Sequence, residues 1–401
     1  MYIGIVGPIA TSDLLTEAAQ QAHKSCPKGR AGAPLVSNLI KEYIARGHQV
    51  LAVTIDPKMD DDAEPYVYTD DLLTYVIAPS RQRIFRPNGW RMGRTADFYR
   101  FERQQMLAIL ERYKPDVVHA HWTYEFALAA LAYSPNALIT IHDNALIISK
   151  YVRTLERLFM LIMARQVFKK GQWFTAVSPY MAESIQNMTA KPIAVVANPV
   201  PIPAATPKQA LPSQPVISVV VNGWDDRKNS ANALLAFKEL QKRHPTCVLW
   251  AMGTAFEPNG EAVAFCTKHD IQNVVFYGSM RHTEVLSKIA ASTLLLHASL
   301  EESFGMVLVE AMSYGVPVVA GKDSGAVAWV VDDGGLLVDV TRVDAIVTAT
   351  DKLLSDSDLY SRTSKRAIAI VRDRFPIEAI ADQYIDLYRK HNVGVSVEQL
   401  T

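Results

Sequence analysis

Short apolar runs recur along the chain, separated by stretches whose apolar residues keep a helical period. Tyr2–Val6 opens the series, and Leu35–Arg46 follows as an amphipathic helix ahead of the run His48–Thr54. Strand, helix and strand in that order make a βαβ unit, the building block of a parallel sheet. Lys114–Trp122, Ala137–Asp143 and Trp173–Ser178 continue the series. These runs are apolar throughout, as strands covered on both faces are. They finish on polar residues: His119 and His121, then His142 with Asp143, then Ser178. Open α/β sheets hold their ligands just past the carboxyl ends of such strands. A single histidine there is as well read as a satisfied structural group, whereas three strands finishing this way favour a site. Leu155–Lys170, rich in Leu, Met and Phe, predicts a helix docked on the core rather than a membrane anchor.

Between Asn198 and Pro215 the chain carries six prolines, Pro199, Pro201, Pro203, Pro207, Pro212 and Pro215. Proline at that density resists helix and sheet alike and predicts an extended linker at a domain boundary. A second βαβ series begins at Val216–Val221 and runs through Thr246–Met252, Val274–Tyr277, Leu294–Ala298, Val316–Ala320 and Gly335–Val338. The expected organisation is an N-terminal α/β domain over residues 1–200, a linker over 201–215 and a second α/β domain over 216–375. The last amphipathic run, Phe375–His391, carries aromatics on one face.

A length of 401 residues suits two domains of this kind. The 41 basic and 41 acidic residues cancel, which removes any global pull toward nucleic acid. Cys26, Cys247 and Cys266 are scattered and odd in number, so neither a disulfide framework nor a metal knuckle is expected and a cytoplasmic setting is the default. The chain enters its first strand without a basic leader, and no stretch of membrane-spanning length is free of charge.

One stretch concentrates the chemistry. Leu300–Pro317 reads LEESFGMVLVEAMSYGVP: carboxylates Glu301 and Glu302, the tight turn Ser303-Phe304-Gly305, then a helix predicted over Met306–Tyr314 and stopped by Gly315 and Pro317. Strand, small-residue turn and helix N-terminus make an anion site, because the first helical N–H groups lack internal partners and the dipole is positive there. Glu310 stands between Val309 and Ala311 in a run almost without other charge, where an acid is costly unless partnered. Eight residues along a helix span about 12 Å, the reach from a sugar ring to a ribose across a diphosphate. Read without further context, Glu302 and Glu310 are equally a helix-start acid and a solvated helix residue.

This stretch resembles the E-x-F-G-x-x-x-x-E-A-M-A-x-G-x-P-V motif of retaining family 4 glycosyltransferases, with matches at Glu302, Phe304, Gly305, Glu310, Ala311, Met312, Gly315, Pro317 and Val318. The resemblance implies the GT-B fold, two Rossmann-like domains facing a central cleft, with acceptor binding in the first and nucleotide-sugar binding in the second. It also implies that a C-terminal helix, about 376–401, crosses back to the first domain. Asp-Val-Val-His119-Ala-His121, Thr-Ile-His142-Asp143 and Ala-Val-Ser178 are similar to the family's N-domain segments. On that basis His121 faces the transferred sugar, and His142 and Asp143 line the acceptor side. Gly29-Arg30-Ala31-Gly32 lies where the family has a glycine-rich acceptor loop, although its usual Gly-Gly pair is Gly29-Arg30 here.

In the second domain, Gly223 precedes the adjacent cations Arg227 and Lys228, which suit a diphosphate. The segment is similar to the family pattern G-R-x-x-x-x-K-G, with Lys228 at its lysine and Trp224 where the arginine is expected. Gly278-Ser279-Met280 resembles the turn set against the nucleobase. Ser324–Trp329 corresponds to G-G-x-P-E, with Ala328 in place of the acid. Donor contacts are therefore expected from Gly223, Arg227, Lys228, Gly278–Met280, Glu302–Met306 and Glu310. His121, Glu302 and Lys228 are the expected catalytic residues.

The implied reaction moves a hexosyl unit with retention from a nucleoside-diphosphate sugar to a saccharide, glycolipid or other hydroxyl acceptor, in bacterial polysaccharide or glycolipid synthesis. The diphosphate takes the acceptor's proton, and lobe closure excludes water. No Asp-x-Asp lies in the cleft segments, so neither metal nor cofactor is expected, and the acidic runs Asp60–Asp62 and Asp225-Asp226 read as solvated loops. Two alternatives stay open: a sugar-nucleotide epimerase of the same fold and a non-catalytic nucleotide-sugar-binding partner subunit. A second feature is Arg81–Arg103, where seven arginines interleave with Phe85, Trp90, Phe98, Tyr99 and Phe101. It reads either as a surface helix pair with snorkelling arginines or as a face for an acceptor at an anionic membrane.

Overall fold

The computed structural model describes residues 1–398 and divides into two compact units, Met1–Pro199 with the helix Ile377–Glu398, and Val200–Pro376. The crossover segment expected to reach residue 401 therefore ends, at 399–401, outside the described residues.

The first unit is built on eight strands: β1 (Tyr2–Val6), β2 (Gln49–Asp56), β3 (Tyr66–Thr69), β4 (Leu73–Pro79), β5 (Val117–His121), β6 (Leu138–Ile141), β7 (Trp173–Ala176) and β8 (Ile193–Val195). They line up as β3-β4-β2-β1-β5-β6-β7-β8, parallel except for the antiparallel edge pair β3–β4. The chain runs outward from β1 through β2, then returns to the other side of β1 at β5. That reversal puts a crevice past the ends of β1 and β5, the place where doubly wound sheets bind ligands. The segment after β1, read from the sequence as a loop, instead folds two short helices, Thr11–Leu14 and Glu17–Ala22.

The second unit has six parallel strands: β9 (Val216–Val220), β10 (Val248–Met252), β11 (Val274–Gly278), β12 (Leu294–His297), β13 (Val318–Gly321) and β14 (Gly335–Val338). Their order is β11-β10-β9-β12-β13-β14, so the reversal falls between β9 and β12. One face is filled by Leu234, Phe237 and Leu240 packed with Leu249, Leu353 and Phe256. Val318, Val319, Leu294 and Leu295 are wholly buried, which is why these strands read as unbroken apolar runs.

The helix Ile377–Glu398 belongs to the first unit through polar as well as apolar contacts. Tyr388 Oη meets His119 Nδ1 at 2.7 Å and Tyr43 Oη at 3.1 Å, while Tyr384 Oη meets Thr140 Oγ1 at 3.2 Å. These hydroxyls partner the buried β5 and β6 side chains, whose desolvation would otherwise be uncompensated.

The Arg81–Arg103 segment is not a surface helix pair. Residues 81–99 are irregular, and a helix begins only at Arg100 (Arg100–Tyr113). Arg81 itself is buried, at 1% exposure. Its guanidinium donates to Asp97 Oδ1 and Oδ2 at 2.8 Å each, to Glu102 Oε2 at 2.7 Å and to the Met92 carbonyl at 2.8 Å. Burial opposes its charge, yet the two carboxylates outweigh that and raise its pKa above the ordinary arginine value. The Asp60–Asp62 run is likewise not simply solvated: it lines a hollow with Arg83 and Trp90, and Asp62 accepts from Arg91 Nη2 at 2.7 Å.

Arg81→Ala leaves Glu102, fully buried, without its cation. Removing one partner of a buried pair costs about 3–5 kcal/mol. Chemical denaturation of the variant should show a loss of that size, and a loss below about 1 kcal/mol would show the cluster to be dispensable.

Candidate functional site

In the second unit, the loops that follow β9 and β12 flank the sheet's reversal. The β9 loop is held in shape from within. Gly223 N–H donates to Thr254 Oγ1 at 2.9 Å, Lys228 N–H to Asp225 Oδ1 at 3.0 Å, and Asn229 Nδ2 to the carbonyls of Val340 and Ala298 at 2.8 and 3.1 Å. Asp225 is thus a turn-maker rather than a solvated acid. The β12 loop ends at Gly305, which opens the helix Met306–Ser313 with φ +87° and no side-chain cap. A Cβ there would come within 2.8 Å of Leu308 Cδ1, so both the backbone angle and the space demand glycine.

These loops bring Lys228 and Glu302 together. Lys228 Nζ lies 2.6 Å from Glu302 Oε1, and His297 Nε2, at the end of β12, lies 3.3 Å from the same oxygen. Burial works against the ionised carboxylate, but the Lys228 charge and the His297 contact prevail and hold it well below the usual carboxylate range. The Glu302 carbonyl accepts from Ala326 N–H at 2.9 Å, which ties the turn to the Ser324–Ala326 loop. Glu302 therefore stands outside the helix, and its separation from Glu310 is not a distance along one helix axis. Arg227, half-buried beside Lys228, has its Nε buried without a hydrogen-bond partner.

Glu310 is buried at 8% exposure, and its Oε1 sits 2.7 Å from His282 Nε2. His282 opens the helix His282–Ala291 and had not been singled out from the sequence. A histidine at a helix start, where the dipole disfavours a cation, was the available signal. His297 was likewise missed, although it ends a predicted strand beside the two acids.

Several expected donor residues are otherwise engaged. Phe304 is turned inward, 1% exposed, against Phe375 and Trp329 at 5.5 and 6.2 Å between ring centroids, so its side chain is a wedge rather than a ligand contact. Ser279 gives its N–H and hydroxyl to Glu257 Oε1 at 3.0 and 2.5 Å, beside the buried Gly278 and half-buried Met280. Ser303 and Met306 are half-buried at the turn and the helix start. Trp224, half-buried, packs on Phe265 at 5.7 Å at the margin of the core. Ala328 lies in the short helix Val327–Val331.

In the first unit, Arg30, Gly32, Trp122, Tyr124, Asp143 and Arg157 surround a hollow of about 300 Å³. Tyr124 Oη donates to Asp143 Oδ1 at 2.8 Å, and Trp122 stacks on His142 at 4.2 Å. Gly29 does not lend its amide to a ligand, because its N–H donates to Asp56 Oδ2 at 3.1 Å. Its φ of +67° and the Ile9 carbonyl, 2.3 Å from where a Cβ would stand, make it a folding glycine. His121 is fully buried and its Nδ1 lies 2.9 Å from His142 Nε2, leaving its own Nε2 without a partner. Burial pushes His121 down to about 3, and burial with the neighbouring His121 pushes His142 well below the ordinary value. Both rings are neutral at physiological pH.

Among the described residues no cluster of three His, Cys, Asp or Glu side chains suits a metal ion, and no helix is long and apolar enough to cross a membrane.

Two doubly wound sheets with polar residues at their reversal points define a Rossmann-like α/β ligand-binding protein. Residues 33–202 match the profile of Glycosyltransferase Family 4 and residues 202–369 that of Glycosyl transferases group 1. The chain belongs to this glycosyltransferase family. A matching relative is N-acetyl-alpha-D-glucosaminyl L-malate synthase of Bacillus anthracis, 33% identical over 32% of this chain and 35% of the relative. The chain spans about a third of the length of the first curated relatives it matches. The lipopolysaccharide core biosynthesis glycosyltransferase LpsD of Rhizobium meliloti is 25% identical over 71% of this chain and 78% of its own. Sucrose-phosphate synthase from Thermosynechococcus elongatus superposes with a TM-score of 0.75 at 18% identity, over 97% of this chain and 98% of that one. The expected GT-B fold is found.

The neutral histidine pair makes a pH prediction. An unfolded histidine takes up its proton near 6.5, whereas folded His121 resists until about 3. The unfolded state therefore binds more protons in acid, and stability falls as pH drops below about 6.5, by up to about 1.4 kcal/mol per pH unit for each histidine. Melting temperatures of wild type and His121→Asn between neutral pH and about 5 should diverge by one proton's worth of slope; parallel curves would reject the neutral assignment.

Proposed function

We propose that this protein is a retaining, metal-independent glycosyltransferase moving a hexosyl unit from a nucleoside-diphosphate sugar to a saccharide or glycolipid hydroxyl, in bacterial polysaccharide or glycolipid synthesis. No cofactor beyond the co-substrate enters the scheme. The observation that carries the reading is the Lys228–Glu302 contact of 2.6 Å beside the uncapped helix start at Gly305.

Charge develops on the departing diphosphate, and donors fixed in advance around that charge supply the largest part of such catalysis. The helix N-terminus, Lys228 and the Arg227 fork, with its unpartnered Nε, supply three of them. Glu302, kept ionised by Lys228 and His297, accepts hydrogen bonds from the hexose hydroxyls. Glu310, with one oxygen on His282, takes the ribose diol with the other. In the first unit the acceptor is assigned to Arg30, Gly32 and Asp143, with His142 behind them. His121, fully buried, supports His142 through their 2.9 Å contact as a neutral ring rather than meeting the acceptor itself. A second reading has a specific basis: Trp224, half-buried against Phe265, and Ala328, in the helix Val327–Val331, stand where the family pattern has an arginine and an acid, which favours a nucleotide-sugar-binding subunit without turnover. An epimerase of the same fold would consume the donor with no acceptor.

A radiolabelled donor separates transfer to acceptor, donor isomerisation and binding without turnover. The product anomer should keep the donor's configuration, and an inverted linkage would remove the mechanism. Screening nucleoside diphosphates by thermal shift should find one that raises the melting temperature. Glu310→Ala should weaken that ligand at least about tenfold, as expected for a lost hydrogen bond to a charged group of about 1.5–3 kcal/mol. Unchanged affinity would show that Glu310 is not a ligand. Lys228→Ala should lower kcat about 10²–10³-fold, the usual effect of deleting one preorganised donor.

A further inference from the structure

Large apolar side chains are left exposed on two neighbouring stretches of the first unit. On the irregular segment 81–99, Trp90 is 84% exposed and Met92 58%, with Phe85 also outward. On the helix Leu155–Lys170, Leu155 and Leu158 are more than half exposed, one turn apart. Phe159, next to Leu158, packs against Phe85 and Phe98 at 5.8 and 5.1 Å, so the two stretches are one surface. Leu146 and Tyr151 extend it along the preceding helix, Ala145–Tyr151. Scattered exposed apolar residues are ordinary, but a contiguous patch of this kind marks an interaction face.

Its charge selects the partner. Residues 82–96 carry four arginines and residues 144–155 carry Lys150 and Arg153, while the acids beside the face are Glu156 and Asp60–Asp62, of which Asp62 is paired with Arg91. Arg91 lies over the Trp90 ring at 4.5 Å, and Arg83, Arg86, Lys150 and Arg153 are exposed around the apolar residues. Tryptophan with leucines inside a rim whose cations outnumber its acids is complementary to the headgroup layer of an anionic bilayer, where apolar tips enter the interface and cations meet lipid phosphates. The same helix turn that exposes Leu155 and Leu158 also supplies Arg157 and Met160 to the 300 Å³ hollow.

We infer that this face docks the protein on an anionic lipid bilayer and that the hollow takes an acceptor carried by a lipid at that surface. The inference rests on reading the hollow as the acceptor site. Docking uses Trp90, Leu155, Leu158 and the surrounding cations, none of which belongs to the assigned donor machinery. Lipid-borne acceptor then needs to rise only from the headgroup layer to the mouth beside Arg157.

The test is co-sedimentation of the full chain with vesicles of mixed phosphatidylglycerol and phosphatidylcholine, against vesicles of phosphatidylcholine alone. Binding should require phosphatidylglycerol and weaken as salt is raised. Leu155→Glu with Leu158→Glu, and separately Trp90→Ala, should each lower the bound fraction at least about tenfold, as expected on withdrawing apolar residues from the interface. Each variant should keep the wild-type melting temperature and the same shift with nucleoside diphosphate. That retained shift separates a failure of docking from a failure of the donor reading. Absence of wild-type binding to the mixed vesicles, or undiminished binding by the glutamate variant, would overturn the inference. So would a dimer in light scattering that the glutamate variant dissociates, since the face would then be covered by a second copy.

Discussion

The second unit is organised by a carboxylate that has to be kept charged in a place where water is scarce. Glu302 has only 13% of its side chain exposed, and an acid in that position would take up a proton if burial alone decided its state. Lys228 and His297 decide otherwise. The three residues come from the loop after β9, the end of β12 and the loop after it, so the ionic contact exists only because the strand order reverses between β9 and β12. The backbone of Glu302 binds a third loop through Ala326. One residue thus fixes the relative placement of three loops, and with them the open N-terminus at Gly305. The Asn229 side chain, reaching both Val340 and Ala298, does the same from the other side.

Much of this was legible in the sequence because the relevant signals are local. A buried parallel strand must be apolar throughout, and a glycine turn ahead of an apolar helix must leave an open helix start. The strands of both series and the Gly305 turn follow from these two rules. What escaped the reading depends on long-range pairing. The arginine-rich segment looks like a solvated surface because nothing in its own pattern announces that Asp97 and Glu102 will close around Arg81. His282 is separated from Glu310 by 28 positions. The antiparallel edge pair β3–β4 was missed for a related reason: its outer strand, Tyr66–Thr69, is short and half-exposed, with no apolar run to mark it. The Gly29 loop shows the opposite error. Its glycines invite a phosphate reading, yet the first is there for Ile9 and Asp56.

The two units meet the problem of polar groups at a sheet edge in opposite ways. In the second, the groups are charged and paired, Lys228 with Glu302 and Arg227 close by. In the first, they are neutral and paired, His121 with His142 and His119 with Thr140 and Tyr388. The difference follows from what surrounds each. His121 has no carboxylate within hydrogen-bond reach and is fully buried, so desolvation alone acts on it, and the proton leaves. Glu302 has a cation at contact distance, so desolvation is overruled.

That contrast has a consequence for the proposed chemistry. A leaving diphosphate concentrates negative charge, and it is best met by cations whose own charge is already balanced in the resting site, because they need not be desolvated afresh during reaction. Lys228, resting on Glu302, meets that condition, and its ammonium still has two further hydrogens to offer. A hydroxyl acceptor carries no charge before it reacts. A protonated His121 would add a charge to the first unit's sheet edge with no carboxylate within hydrogen-bond reach to balance it. A neutral ring can accept or donate one hydrogen bond without that cost. In the proposed scheme, where the proton goes to the leaving group, no histidine acid is required, and a His121 buried as a neutral ring agrees with that reading.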